Sequence, residues 1–162
     1  MDGATAWYAL VDGASDPAIA PLARAARQHA CLLSGALEPS LAAVSPYLVA
    51  IDSREQLLHA WQDSGRGKNW GILVESELDL ERLRRFFRRF LQVKLPDGEV
   101  VMFRFYDPRV FRGYLPSAPP EQRSAWFEGV RQYAVEGGNG VQHSFRLRGG
   151  RLFDGDRPLE TA

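Results

Sequence analysis

Short apolar runs and amphipathic segments alternate along the chain, and their different periods predict different elements. "WYALVDG" (Trp7–Gly13) reads as a strand ending in Asp-Gly turn chemistry. "SDPAIAPLARAARQHA" follows, with Ser15 or Asp16 as the N-cap candidate, early prolines and an alanine-rich body. That predicts a helix starting near Pro17 or Pro21. "ACLLSG" and "PYLVAID" predict a second and a third strand. In "SREQLLHAWQDSG" Ser53 and Gln56 have capping-box spacing, Leu57, Leu58 and Trp61 share a face, and Gly65 supplies a stop. "WGILVES" reads as a buried strand.

The clearest periodicity covers Asp79–Val93. At about 100° per residue, Leu80, Leu83, Phe86, Phe87, Phe90 and Leu91 fall within one arc. Arg82, Arg84, Arg85, Arg88 and Arg89 cover the opposite side. "LPDGEV" then predicts a turn, "VVMFRFY" a strand, and "APPEQRSAWFEGVRQYA" a helix opened by prolines. The tail "HSFRLRGGRLFDGDRPL" predicts a hairpin around Gly149-Gly150, with "GGNG" (Gly137–Gly140) as a flexible separator between the last helix and that hairpin. The expected fold class is α/β (mixed α+β): a central mixed β-sheet flanked by helices, with a C-terminal β-hairpin. The 162 residues suffice for one core, and no repeat, low-complexity tract or linker divides them, so residues 1–162 are read as one domain.

Composition narrows the function classes. Acids and bases number 20 each, so net charge favours neither a nucleic acid nor a membrane surface as partner. The distribution is uneven, however: Arg82–Arg112 holds nine basic residues against three acids, which suits a protein partner with a charged patch. A single cysteine, Cys31, rules out an internal disulfide framework and fits a reducing compartment. The N-terminus lacks the basic and apolar regions of a signal peptide, and no apolar run is long enough to span a bilayer. The expected location is the cytoplasm.

Catalytic chemistry finds little support. His29, His59 and His143 are far apart and have no ligand-type partner at helical spacing, so no metal site is expected. Ser34, Ser45, Ser76 and Ser144 lack a nucleophile elbow, and "GRGKNWG" lacks P-loop spacing. The arginine face of the 79–93 helix has three readings: a solvated surface, a dock for an acidic protein, or a track for nucleic acid.

"VMFRFYDPRV" (Val101–Val110) carries the densest unusual chemistry. In a strand, Phe103 and Phe105 would point one way and Met102, Arg104 and Tyr106 the other. Asp107 is placed as an N-cap before Pro108, and Arg104 and Arg109 can each pair with a carboxylate, Asp12 being the obvious candidate. The residues therefore admit a structural acid–arginine seam, a recognition surface, or a small enzyme using Asp12 and Asp107. The enzyme reading requires both carboxylates exposed in a pocket, with at least one pKa raised.

Several blocks together resemble one family: "YALVDGA", "CLLSG", "SPYLVAID", "WGILVES", "PDGEVVMFRFYDPRVFRGYLP" and "AWFEGV", in this order over roughly Trp7 to Val130. The chain is similar to the type VI secretion effector chaperone or adaptor domain, first catalogued as a bacterial domain of unknown function. The resemblance implies a non-enzymatic bacterial cytoplasmic adaptor without cofactor, which binds a toxic effector and loads it onto the VgrG spike or its PAAR extension. It implies no nucleic acid, membrane or small-molecule substrate. Signature positions implied here are Asp12, Gly13, Pro46, Tyr47, Leu48, Gly71, Arg104, Tyr106, Asp107, Pro108 and Arg109. Arg82, Arg85, Arg88, Arg89 and Arg112 are the candidate partner-binding residues. One departure is that many members continue into a further helical region, whereas this chain ends soon after the predicted hairpin.

Overall fold

A computed structural model describes residues 3–33 and 35–159, so Ser34 of the "CLLSG" stretch lies outside the described residues. Ten strands and six α-helices follow in the order β1 (Ala6–Asp12), α1 (Ile19–Ala25), β2 (His29–Cys31), α2 (Pro39–Ala42), β3 (Pro46–Ile51), α3 (Gln56–Ala60), β4 (Gly71–Ser76), α4 (Leu80–Arg88) and β5 (Gln92–Lys94). The chain continues through β6 (Val100–Met102), α5 (Pro108–Ser117), α6 (Pro120–Ala125), β7 (Gln132–Glu136), β8 (Gln142–Arg148), β9 (Arg151–Asp154) and β10 (Arg157–Pro158). Eight strands form one sheet in the order β10-β9-β8-β7-β4-β1-β3-β2, and β5 and β6 form a separate ribbon.

The α+β class, the flanking helices and the C-terminal hairpin match the sequence reading. The sheet differs in one respect: every ladder is antiparallel rather than mixed. The reason lies at β1. Strands β3 and β4 are joined through α3 and run parallel to each other, as a strand–helix–strand unit demands, but β1 lies between them and pairs antiparallel with both.

Alternation along β1 explains the two layers packed on the sheet. Tyr8 and Leu10 face a large core with Leu83, Phe86 and Phe87 of α4, Phe111 and Leu115 of α5, and Trp126. Ala9 and Val11 face a smaller core with Ile19, Ala20 and Ala23 of α1, and with Leu57 and Trp61. Strand β1 is buried on both faces and pairs Leu10 with both Leu48 and Ile72. A Cβ at Gly71 would collide with the Leu10 carbonyl, and one at Gly13 would lie 2.7 Å from the Ser45 carbonyl oxygen. Both signature glycines are thus required by close backbone approach.

Four local expectations change. The 79–93 helix begins as expected, with the Asp79 carboxylate accepting from the Arg82 N–H at 2.9 Å, but it ends at Arg88. Residues Gln92–Lys94 pair with Val100–Met102 across the turn at Gly98 (φ +90°), and this ladder replaces the last helical turn. The apolar arc survives, because Leu91 is buried and Phe90 stacks on Trp126 with ring centroids 3.8 Å apart. The strand expected through Tyr106 stops at Met102 and belongs to the ribbon, so Phe103 and Phe105 do not alternate with Arg104 and Tyr106 across a sheet. The helix expected through Ala134 ends at Ala125, and Gln132–Glu136 becomes β7, so "GGNG" turns β7 into β8 instead of following a helix. Glu55, not Ser53, caps α3, which then widens into a π-helical turn over Trp61–Gly65.

Candidate functional site

The "FRFYDPRV" stretch leaves the ribbon and wraps the end of β1. Asp12, 1 % exposed, accepts from the Ala14 N–H at 2.9 Å and from the Arg104 guanidinium, with the Ser15 hydroxyl at 3.4 Å. The Arg104 side chain is 49 % exposed, and its hydrogen bond to Asp12 raises its pKa further above the ordinary arginine value. Tyr106 is buried with its hydroxyl 3.8 Å from the Met102 sulfur. Burial, and then the Asp12 charge, push its pKa up, so it stays a neutral phenol.

Asp107 caps α5 as the sequence predicts. Its Oδ1 accepts from the Arg109 N–H at 2.9 Å, and Pro108 fills the first helical position, where no N–H is needed. The Arg109 guanidinium grips the same carboxylate bidentately, Nε to Oδ1 at 3.1 Å and Nη2 to Oδ2 at 2.8 Å. Burial pushes the Asp107 carboxyl up, but the Arg109 hydrogen bonds and charge outweigh it and hold the pKa below the usual carboxylate range. The signature residues therefore form two acid–arginine pairs that brace the corner where β1 ends and α5 starts.

The α4 arginines behave differently. Arg82, Arg85 and Arg88 are exposed and have no ion-pair or hydrogen-bond partner for their guanidinium groups among the described residues. Arg89 lies 5.8 Å and 5.6 Å from the ring centroids of Phe86 and Phe90 and 3.5 Å from the Glu128 carboxylate. Arg84 turns inward instead, donating to the Cys31 carbonyl at 2.8 Å. Arg112 is not part of this ridge. It projects from α5 and donates to the Glu136 carbonyl at 2.9 Å, beside an open cleft that sequence reasoning missed. The missed signal was the pattern of Trp61, Gly67 and Glu136, three positions from elements whose neighbours no local pattern reveals.

Among the described residues no group of three or more His, Cys, Asp or Glu is placed to hold a metal ion. His143 instead bonds Asp154 at 2.7 Å and stacks on Phe145, while His29 and His59 contact backbone carbonyls. No described helix is long and apolar enough to cross a membrane. No curated protein and no solved structure matches the chain. Residues 7–125 match the family described as "Domain of unknown function (DUF4123)", a span that includes all of β1 but its first residue, the α4 ridge and both acid–arginine pairs. With that span covering well over half of its length, the chain belongs to the DUF4123 family.

Proposed function

We propose that this chain is a bacterial cytoplasmic adaptor of type VI secretion, which binds a cognate toxic effector and helps load it onto the VgrG spike or its PAAR extension. The observation that carries the docking part of this reading is the α4 ridge. Arg82, Arg85 and Arg88 present unpaired guanidinium groups, and beside them Arg89, paired with Glu128, lies over Phe86 and Phe90. Unpaired arginines suit an acidic protein surface, because guanidinium groups pair bidentately with carboxylates and lose little hydration in doing so. The secretion assignment itself rests on the sequence resemblance, above all on the "PDGEVVMFRFYDPRVFRGYLP" block.

The two-carboxylate enzyme reading is disfavoured. Asp107 lies in a bidentate arginine pair with its pKa lowered, whereas a general acid needs a carboxyl whose pKa is raised. Co-expression with the products of adjacent genes, followed by pull-down, tests the adaptor directly. A toxin or spike component should be retained, and Arg85→Glu with Arg88→Glu, at two exposed residues with no ion pair to lose among the described residues, should release it while thermal unfolding stays unchanged. If neither partner is retained by the unaltered chain, the reading fails. Salt-sensitive retardation of labelled DNA or RNA by α4 would replace it with nucleic-acid binding.

A further inference from the structure

A cleft of about 830 Å³ opens at the ends of β4 and β7, within the size range of sites that enclose a ligand. Its floor is apolar, made by Leu73 and Ala134, which face each other across β4 and β7, and by Trp61 of the π-helical turn. Arg109 and Arg112 of α5, Arg66 and the Gly137–Gly140 turn also line it.

Its charge is one-sided. Among the described residues Glu136 is the only acid in the lining, and each of its oxygens already accepts one hydrogen bond: Oε1 from the Trp61 indole at 3.1 Å and Oε2 from the Gly67 N–H at 3.0 Å. The three arginines keep donors free among the described residues. Arg109 commits only Nε and Nη2 to Asp107, Arg112 commits Nη1 to the Glu136 carbonyl, and Arg66 is exposed without a partner. The Glu136 carboxylate ties the Trp61 turn to β7, Asp107 holds Arg109 and the Glu136 carbonyl holds Arg112, so the floor and two of the cations are in place before any ligand arrives.

The cleft shares no lining residue with the α4 ridge. Its floor residues Trp61 and Leu73 belong to the smaller core, on the opposite face of the sheet from α4, while Arg109 and Arg112 reach it from α5, which packs on the α4 side.

We propose that this cleft binds an extended acidic peptide segment of a protein partner. Its carboxylates pair with Arg66, Arg109 and Arg112, and an intervening apolar side chain rests on Leu73, Ala134 and Trp61. Carboxylates are the matching chemistry because three arginines with free forked donors outnumber the single Glu136 carboxylate, and a peptide is the matching class because the same cleft adds an apolar floor to those cations. The inference does not depend on which partner meets α4.

Selection of a random-peptide phage library on the full chain tests it. Enriched peptides should combine Asp or Glu with a large apolar residue. Their binding should fall by about tenfold or more on Arg66→Glu, the loss expected when a charge-assisted contact becomes repulsive. Arg27→Glu, a charge-matched change at an exposed residue outside the cleft, should leave binding intact. Thermal unfolding of Arg66→Glu should match that of the unaltered chain, since Arg66 has no partner to lose. Arg112→Gln should weaken the same peptides. The proposal is overturned if nothing enriches, if the enriched peptides lack acids, or if Arg66→Glu binds them unchanged. Displacement of the peptides by inorganic phosphate at equal concentration would also overturn it, reducing the cleft to a general anion trap.

Discussion

Replacing Arg104 with methionine removes the cation beside Asp12 while keeping much of the aliphatic stem. The carboxylate is 1 % exposed, and without Arg104 it keeps one good hydrogen bond, from Ala14, and a long one from Ser15 at 3.4 Å. Removing one partner of a fully buried pair costs about 3–5 kcal/mol, and losing an exposed pair about 0.2–1 kcal/mol. Arg104 is half exposed, so water can enter the vacated space and the expected cost is about 2–3 kcal/mol. For a chain of this length that corresponds to a fall in Tm of about 4–12 °C. Asp12→Asn keeps an acceptor for Ala14 and leaves an arginine that can hydrate, so it should cost less. The double variant should be less destabilised than the sum of the two by about 1–2 kcal/mol. Urea unfolding followed by circular dichroism and tryptophan fluorescence, extrapolated linearly to water, measures all four corners of the cycle. A cost below about 0.5 kcal/mol for Arg104→Met, or strict additivity, would refute the bracing role and leave the pair a solvated contact.

Three further outcomes follow from the same geometry. Asp107→Ala should cost about 1 kcal/mol, the worth of an N-cap, because Arg109 is 60 % exposed and returns to water. The folded carboxyl titrates below its unfolded value of about 3.9, so its contribution is present above that pH and lost as pH falls through the lower folded value. Urea titrations at falling pH should therefore show the variant and the unaltered chain converging in acid. Gly71→Ala places a methyl against the Leu10 carbonyl and should destabilise by more than about 3 kcal/mol or abolish soluble expression, read by melting and yield. Trp126→Ala empties the centre of the aromatic cluster around Phe90, Phe105 and Phe111 and should cost about 3–5 kcal/mol in the same unfolding assay.

What could be read from the sequence was what local physics decides. The apolar run of β1, the Asp79 and Asp107 caps, and the glycine hairpin between β8 and β9 all depend on neighbours a few residues away. The Asp12 pairing was legible in part: the sequence offered both Arg104 and Arg109 as partners, and only the fold gives Asp12 to Arg104, 92 residues away, and leaves Arg109 to Asp107. The end of α4 was not. Val93 continues the helical pattern well enough, and only its pairing with Val101 shows that a ribbon competes for it. Nor could Gln132–Glu136 announce itself as a strand, since its ladder partners lie in β4 and β8. The acidic residue of the cleft, Glu136, was hidden for the same reason.

Four of the eight strands of the main sheet, β7 to β10, lie beyond residue 125, where the family match ends. Yet Tyr133, Val135, Phe145 and Leu152 share one core with Leu10 and Phe87. The recognisable unit is therefore smaller than the cooperative unit. During synthesis the β4 edge and the phenylalanine side of α4 must wait, unpaired, until the last quarter of the chain has left the ribosome. A fragment cut at the family boundary would preserve the signature yet expose an open sheet edge, and aggregation rather than folding is its expected fate.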